Sequence, residues 1–282
     1  MPDTLAPTGL LDDRAGRDYS LKLSLFNAFA EPELQNAIAH LGLKPGMRVL
    51  DAGCGTGEAL SWLSQAIGPA GEVVGIDLAL AHVAAARARA PRQARVLQAD
   101  LLETAFLSGS FDLIWCVNTL HHLRDPAFGL RHLRTLLRPS GRIAVGQSSF
   151  LPDMYFAWDS RLERLTNEAV RQYYRDRYRL CEHDLTAVRS IVGNLRASSF
   201  RNVISRTYMI ERVSPLRPAD EAYLYEAIFR DTWDERLRSY LTPEDYAELT
   251  SLCNPQHPEF ALRRPDFHFL QTFTLAVGEI EP

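Results

Sequence analysis

Lysine is nearly missing from this chain. Of 31 basic residues only Lys22 and Lys44 are lysine, and the rest are arginine. A preference of that kind reflects genome composition, so an arginine-rich stretch is not by itself an anion-binding signal. Cysteine is sparse too: Cys54, Cys116, Cys181 and Cys253 are widely scattered and form no close pair. That excludes a disulfide framework and fits reduced thiols in a cytosolic protein. No stretch approaches the ~18 consecutive apolar residues of a membrane-spanning helix. The opening MPDTLAPTGLLDDRAGRDYS lacks the basic and apolar regions of a signal peptide, so the expected location is cytoplasmic. A net charge of -4 gives no global reason to expect nucleic acid or an anionic membrane as partner. Internal repeats and low-complexity tracts are also lacking.

The 282 residues, 46% hydrophobic and 23% charged, suit one elaborated α/β domain or a domain with a cap. Residues 1 to 18 read as disordered or loosely attached. Helical spacing from Tyr19 to Leu41, interrupted at Glu31-Pro32, predicts two helices that end at Gly42 and Pro45-Gly46. Strands and helices then alternate. Strands are expected at 48–51, 71–77, 95–98, 111–117 and 142–147, with a helix from Asp125-Pro126 running to Pro139-Ser140-Gly141. Such alternation means a parallel sheet covered on both faces. A helical insert (150–183), a helix (185–198), a sixth strand (202–211), more helix (214–265) and a last strand (267–277) complete the chain.

The sharpest local signal is VLDAGCGTGEAL, residues 49 to 60. A strand runs into Asp51, followed by Gly53, Cys54, Gly55 and Gly57, then a helix. Glycines let the backbone turn tightly and pass close to a ligand, and the helix offers N–H groups at its start. A dinucleotide fingerprint would be G-x-G-x-x-G, but its third glycine falls on Glu58. The acid two residues before the first glycine instead resembles motif I of the class I S-adenosylmethionine methyltransferases. The resemblance covers residues 47 to 148 well, and 184 to 212 plus 267 to 278 more loosely.

This resemblance implies an α/β, Rossmann-like fold: a seven-stranded mixed sheet whose antiparallel last strand lies between the fifth and sixth, with a helical cap from inserts. It implies S-adenosyl-L-methionine as cofactor and points to the small-molecule, natural-product branch. Asp51 and the loop Gly53, Cys54, Gly55 and Gly57 would hold the amino-acid end of the cofactor. Asp77, closing the second strand, would accept two hydrogen bonds from the ribose, with Leu78 beside it; that role also suits dinucleotides. Asp100 would contact the adenine amino group with Leu101 flanking the ring, the alternative for Asp100 being a helix cap. FDLIWCVNTLHHL resembles motif IV and adds Asn118. The implied division is an N-terminal helical lid (1–41), a cofactor-binding core (42–149, 184–212, 266–282) and a helical substrate cap (150–183, 213–265).

Methyl transfer from a sulfonium is an in-line displacement that chiefly needs near-attack geometry. A base is needed only where the acceptor carries a proton of high pKa. The fourth strand lacks the Asn/Asp-Pro-Pro-aromatic motif of planar-amine methylating enzymes. Asn118 and Gln147-Ser148-Ser149 stand where metal-dependent catechol-type enzymes need carboxylates, so no metal is expected. Adjacent histidines also point about 100° apart on a helical turn, which is poor for chelation. His121 and His122 are candidate bases; the alternative makes one a contact to the cofactor loop and the other packed or solvated. Tyr19 is a third catalytic candidate, with a helical-core role as its alternative.

Inserts that leave the carboxyl edge of a parallel sheet stand over the ligand. The first insert carries Tyr155, Phe156, Trp158, Tyr173, Tyr174 and Tyr178, with Arg161, Arg164, Arg171, Arg175, Arg177 and Arg179; the second carries Tyr223, Tyr225, Phe229 and Trp233. Aromatics with arginines suit a planar acidic molecule, or else form an amphipathic cap with a solvated Arg face. His183, His257 and His268 are within reach of the pocket on this reading. The expected function is metal-independent methylation, O-methylation first, of a small aromatic or carboxylate-bearing molecule. N- or C-methylation of a small molecule or peptide, RNA methylation, and a non-methylating protein that keeps the cofactor slot are the alternatives. The expected partners are a small-molecule substrate but neither nucleic acid nor membrane. Aromatic lids in this family often sit at dimer contacts, which adds a homodimer.

Overall fold

Four of the five parallel strands are apolar runs that bury both of their faces, and the strand at the sheet edge, Ala94–Gln98, buries only Val96. The computed structural model describes residues 10–11, 15–104, 106–149, 155–156, 159–181 and 187–281. The strands are β1 (Arg48–Ala52), β2 (Glu72–Asp77), β3 (Ala94–Gln98), β4 (Phe111–Val117), β5 (Leu137–Ser148), β6 (Tyr155–Phe156), β7 (Arg201–Val213) and β8 (His268–Glu279). The helices are α1 (Ser20–Ala39), α2 (Glu58–Ile67), α3 (Leu80–Arg89), α4 (Pro126–Thr135), α5 (Ser160–Tyr178), α6 (Ala187–Ala197), α7 (Pro218–Ala222), α8 (Asp234–Leu237) and α9 (Pro243–Cys253). Between α7 and α8 the chain forms a wide π-helix, Tyr223–Trp233.

Side chains alternate across the strands and divide the core in two. Val49, Val73, Leu113 and Trp115 join Leu60 and Leu63 of α2 and Phe29 of α1 on one face. Leu50, Val74, Ile114 and Cys116 meet Leu130 of α4 and Leu195 of α6 on the other. The sheet order is β3-β2-β1-β4-β5-β8-β7, with β8 antiparallel to β5 and β7. This is the expected mixed sheet with its antiparallel last strand. The two-residue β6 adds an eighth strand, pairing with Phe269 and Leu270 on the edge of β8 that β5 occupies further along. After β3 the chain crosses to the far side of β1, so the carboxyl ends of β1 and β4 diverge into a crevice.

The structure differs from expectation in three places. Residues 20–39 form one helix, not two, with Pro32 inside it. Proline cannot donate to the preceding turn and pushes it open. Here the Phe29 carbonyl accepts from the guanidinium of Arg212 (2.5 Å) and from Arg217 (3.4 Å). The helix after Asp125 stops at Thr135, and Pro139-Ser140-Gly141 lies within β5, where the register with β4 shifts. The described part of the first eighteen residues is tied down: Leu10 N–H donates to the His122 carbonyl and Leu80 N–H to that of Ala15, both at 2.9 Å. Residues 1–9 and 12–14 lie outside the described residues.

Arg212 of β7 is the densest polar joint. Its guanidinium meets Glu33 of α1 (2.9 and 3.0 Å) and Asp220 of α7 (2.8 Å), and lies 4.8 Å from the Phe29 ring centre. Removing the cation would leave Glu33 and the Phe29 carbonyl without it in a place with little solvent, with Asp220 held by Arg217 alone (2.7 Å). We expect Arg212→Met to lower unfolding stability by about 3 kcal/mol in denaturant titration; a change under about 0.5 kcal/mol, as for an ordinary surface residue, would contradict this account.

Candidate functional site

The crevice opens into a cavity of about 1150 Å³. Ligand pockets typically measure roughly 300–1000 Å³, so this one is at the roomy end. The tips of β1, β2, β4 and β5 form the floor, and α1, the end of α5 and the π-helix contribute the roof.

Asp51, the last residue but one of β1, is 2% exposed, and its Oδ2 is buried with no hydrogen-bond partner. Burial first, then the charges of Asp77 and Glu58, pushes its carboxyl up to about 8. The folded chain therefore holds a proton that the unfolded chain has lost between its ordinary value of 3.8 and about 8. Stability from this group falls as pH rises through that window.

Beyond Asp51 the loop takes positive φ at Gly53 (83°), Gly55 (51°) and Gly57 (86°). A side chain at Gly53 would collide with Thr119, and one at Gly57 would meet the Ala86 backbone at 2.9 Å. Gly53, Cys54 and Gly55 line the cavity; Gly57 instead packs on α3, outside the lining. Cys54 is buried and its thiol is held well above its ordinary pKa, chiefly by burial, which keeps it protonated.

Asp77 faces the cavity and organises its surroundings. Its Oδ2 accepts from Gly55 N–H (2.9 Å), and its Oδ1 accepts from Ala79 N–H (2.9 Å) and the Nδ1 of His82 (3.1 Å). His82 Nε2 in turn accepts from Tyr19 N–H (3.0 Å), so the ring proton sits on Nδ1. Glu58, which spoils the dinucleotide pattern, ties the loop to the roof. It accepts from Thr56 (2.7 Å), from Ser24 (3.2 Å) and Asn27 (2.8 Å) of α1, and pairs with Arg89 of α3. Sequence reasoning overlooked both His82 and the second role of Glu58. A histidine five residues beyond a strand-terminal acid, in the first turn of a helix, was the available signal.

Leu78, Asp100, Leu101 and Asn118 all line the cavity. Asp100 also accepts from Leu102 N–H (2.8 Å) within a turn, but no helix follows it among the described residues, so the helix-cap alternative does not hold. Asn118 has φ 51° and accepts through Oδ1 from Ser148 N–H (2.9 Å) and hydroxyl (3.0 Å), fixing the exits of β4 and β5 together. His121 and His122 share a single 3-10 turn with ring centres 4.0 Å apart, and both line the cavity. Tyr19 lines it too, with the Arg17 guanidinium 4.3 Å from its ring centre. Among the described residues no group of three or more His, Cys, Asp or Glu side chains is placed to hold a metal.

The roof corrects the expected acceptor pocket. None of Arg161, Arg164, Arg171, Arg175, Arg177 and Arg179 lines the cavity. Arg161 pairs with Asp245 (2.6 Å) and Arg175 with Glu168 (3.1 Å). Of the aromatics, Tyr174, Tyr178 and Tyr223 line it, whereas Phe229 and Trp233 stack on each other in the core. His257 holds a turn and His268 meets Glu211 (2.8 Å), both away from the cavity. His183, Trp158 and the side chains of Tyr155 and Phe156 lie outside the described residues.

These residues fit S-adenosylmethionine. Asp51 leaves a buried acceptor for a cationic donor, and Asp77 Oδ2, with one hydrogen bond, keeps capacity for a ribose hydroxyl. A family model described as a methyltransferase domain matches residues 49–141. The nocamycin O-methyltransferase of Saccharothrix syringae is 30% identical over 225 residues, covering 75% of this chain and 77% of that protein. An uncharacterised protein of Synechococcus sp. is 40% identical over 35% of this chain, which spans only 24% of its length. Among solved structures, the [4+2]-cyclase SpnF matches with TM-score 0.55 and 19% identity over 98% of this chain and 97% of that one; this is a likeness of fold. Asp77→Ala should weaken S-adenosylhomocysteine binding by about 1.5 to 3 kcal/mol through lost charge-assisted hydrogen bonds; unchanged affinity by calorimetry would refute its place in the site.

Proposed function

The chain belongs to the S-adenosylmethionine-dependent methyltransferases, and we propose that it methylates an oxygen of a small molecule without help from a metal. The observation that carries this reading is one cavity holding both the glycine loop and the His121–His122 pair beneath a roof of inserted helices. Its volume leaves space for an acceptor of modest size beside the cofactor. The relative from Saccharothrix syringae, alike over three quarters of this chain, is named an O-methyltransferase, which favours oxygen over nitrogen or carbon.

The bound cofactor supplies a methyl group on a sulfonium. Asp51, Gly53, Gly55, Asp77, Leu78, Asp100, Leu101 and Asn118 would position it, with Gly57 shaping the loop from behind. Tyr174, Tyr178 and Tyr223 would press the acceptor into line and keep water out. A ring nitrogen of His121 or His122 would take the acceptor hydroxyl's proton. Tyr19, fixed through its N–H to His82, would close the site from α1. Acceptors are then small molecules, with neither nucleic acid nor membrane as partner.

The test is transfer of labelled methyl from S-adenosylmethionine to a panel of hydroxylated small molecules. Loss of the base should lower kcat by about 10²- to 10⁴-fold at saturating cofactor in either His121→Ala or His122→Ala. If both variants turn over like the parent, the base is elsewhere. If the protein binds S-adenosylhomocysteine yet labels no small molecule, the reading itself fails.

A further inference from the structure

The charges along the cavity wall are sorted by place. Asp51, Asp77, Asp100 and Glu103 line the end built by the strand tips. The roof presents Lys22, Arg230 and Arg236 with Glu226 and Asp231. Arg230 and Glu226 pair one to one. Asp231, however, is shared by two cations: Lys22 Nζ lies 3.0 Å from Oδ2, and Arg236 Nη2 lies 2.8 Å from Oδ1. That cluster sets two cations against one carboxylate on the cavity wall, while acids predominate at the strand tips; Arg17 and Asp18, from the segment before α1, line the cavity as well. A cationic cofactor and an anionic acceptor would each be drawn to one end.

Placement supports the same division. Leu23 of α1 reaches toward Gly55, within 3.2 Å of where a side-chain carbon there would stand. The neighbouring Lys22 therefore springs from beside the cofactor loop and carries its ammonium to the π-helix, where it also meets the Thr232 hydroxyl (3.4 Å). Burial pushes the Lys22 ammonium down in pKa and Asp231 opposes that shift; the side chains of Lys22, Arg236 and Asp231 keep 23%, 37% and 42% of their surface exposed, so a further anion can reach both cations. Tyr223, Glu226, Ala227, Arg230 and Asp231 all line the cavity from the π-helix. Departures from regular helix of this kind frequently mark functional sites. Lys22 is one of two lysines in the chain, and Arg236 lies outside the arginine-rich helix α5.

We propose that Lys22 and Arg236, bridged by Asp231, form the subsite for a carboxylate carried by the acceptor at a distance from the methylated oxygen. This rests on the small-molecule methyltransferase reading and names its substrate class: hydroxylated aromatic acids. Arg236 can meet one carboxylate oxygen and Lys22 the other, with Asp231 holding both cations in register. The tyrosines of the roof provide ring contacts for the body of such an acid.

The experiment is calorimetric titration of the protein loaded with S-adenosylhomocysteine, using hydroxybenzoic and hydroxycinnamic acids each paired with its uncharged primary amide. The expected result is an acid that binds at least about tenfold tighter than its amide, as a charge-assisted contact requires. Lys22→Met and Arg236→Gln should each shrink that ratio to below about threefold, and Lys22→Arg should largely keep it. Amides binding as well as their acids, no acid binding, or a ratio that survives Lys22→Met would each overturn the proposal and leave Lys22 as a clamp between α1 and the π-helix. Labelled methyl transfer to uncharged acceptors in the same panel separates the two claims. If it is seen, only the subsite fails; if no member of either series is methylated, the small-molecule reading fails with it.

Discussion

A carboxyl group buried at the tip of β1, with other carboxylates as neighbours, governs this molecule. Asp51 cannot remain charged there at low cost, and it responds by holding its proton to about pH 8. Nothing in the fold requires an acid at that point; an apolar residue would pack between β2 and β4 with less penalty. An ionisable group kept in so unfavourable a setting, in the crevice where the strand order reverses, marks a place prepared for a ligand. A cation brought by the ligand turns the same acid from a burden into an anchor.

The N-terminal helix carries that arrangement to the rest of the protein. Through Ser24 and Asn27, α1 is tied to Glu58 of the glycine loop, and Tyr19 at its start is tied through His82 to Asp77. Near its other end Glu33 meets Arg212 of β7, which also holds Asp220 of α7. Lys22 reaches the π-helix. Cofactor loop, sheet edge and roof are therefore fastened to one helix, and the acceptor's space is defined by how α1 lies over the strand tips.

Much of this was legible because the causes are local. Buried parallel strands demand unbroken apolar runs, and the positive φ values after Asp51 demand glycine, so residues 48 to 117 could be read from neighbours alone. The antiparallel position of β8 came from family resemblance. Errors arose where a distant partner decides. Pro32 reads as a helix break, but the helix runs through it, and Arg212, 180 positions later in the chain, holds the Phe29 carbonyl in the preceding turn. Pro139-Ser140-Gly141 reads as a helix stop, but it bulges between the two stretches of β5 that pair with β4, and Ser140 N–H donates to the Glu281 carbonyl far along the chain. The arginines of α5 looked like an acid-binding face, yet none of them lines the cavity, and the cavity-lining cations are Arg17 before α1, Lys22 of α1, and Arg230 and Arg236 later in the chain. Periodicity tells which face of a helix is polar, but not whether that face meets a cavity or water.

The most direct test of the account is the number of protons released when S-adenosylmethionine binds at pH 7, read by calorimetry in buffers of differing ionisation enthalpy. An Asp51 carboxyl protonated to about pH 8 in the free protein and ionised beside a cationic ligand should release about one proton, and Asp51→Asn should release essentially none. Binding of the cofactor to the parent protein with no proton release would contradict the claim that this buried acid is held ready for the ligand's charge.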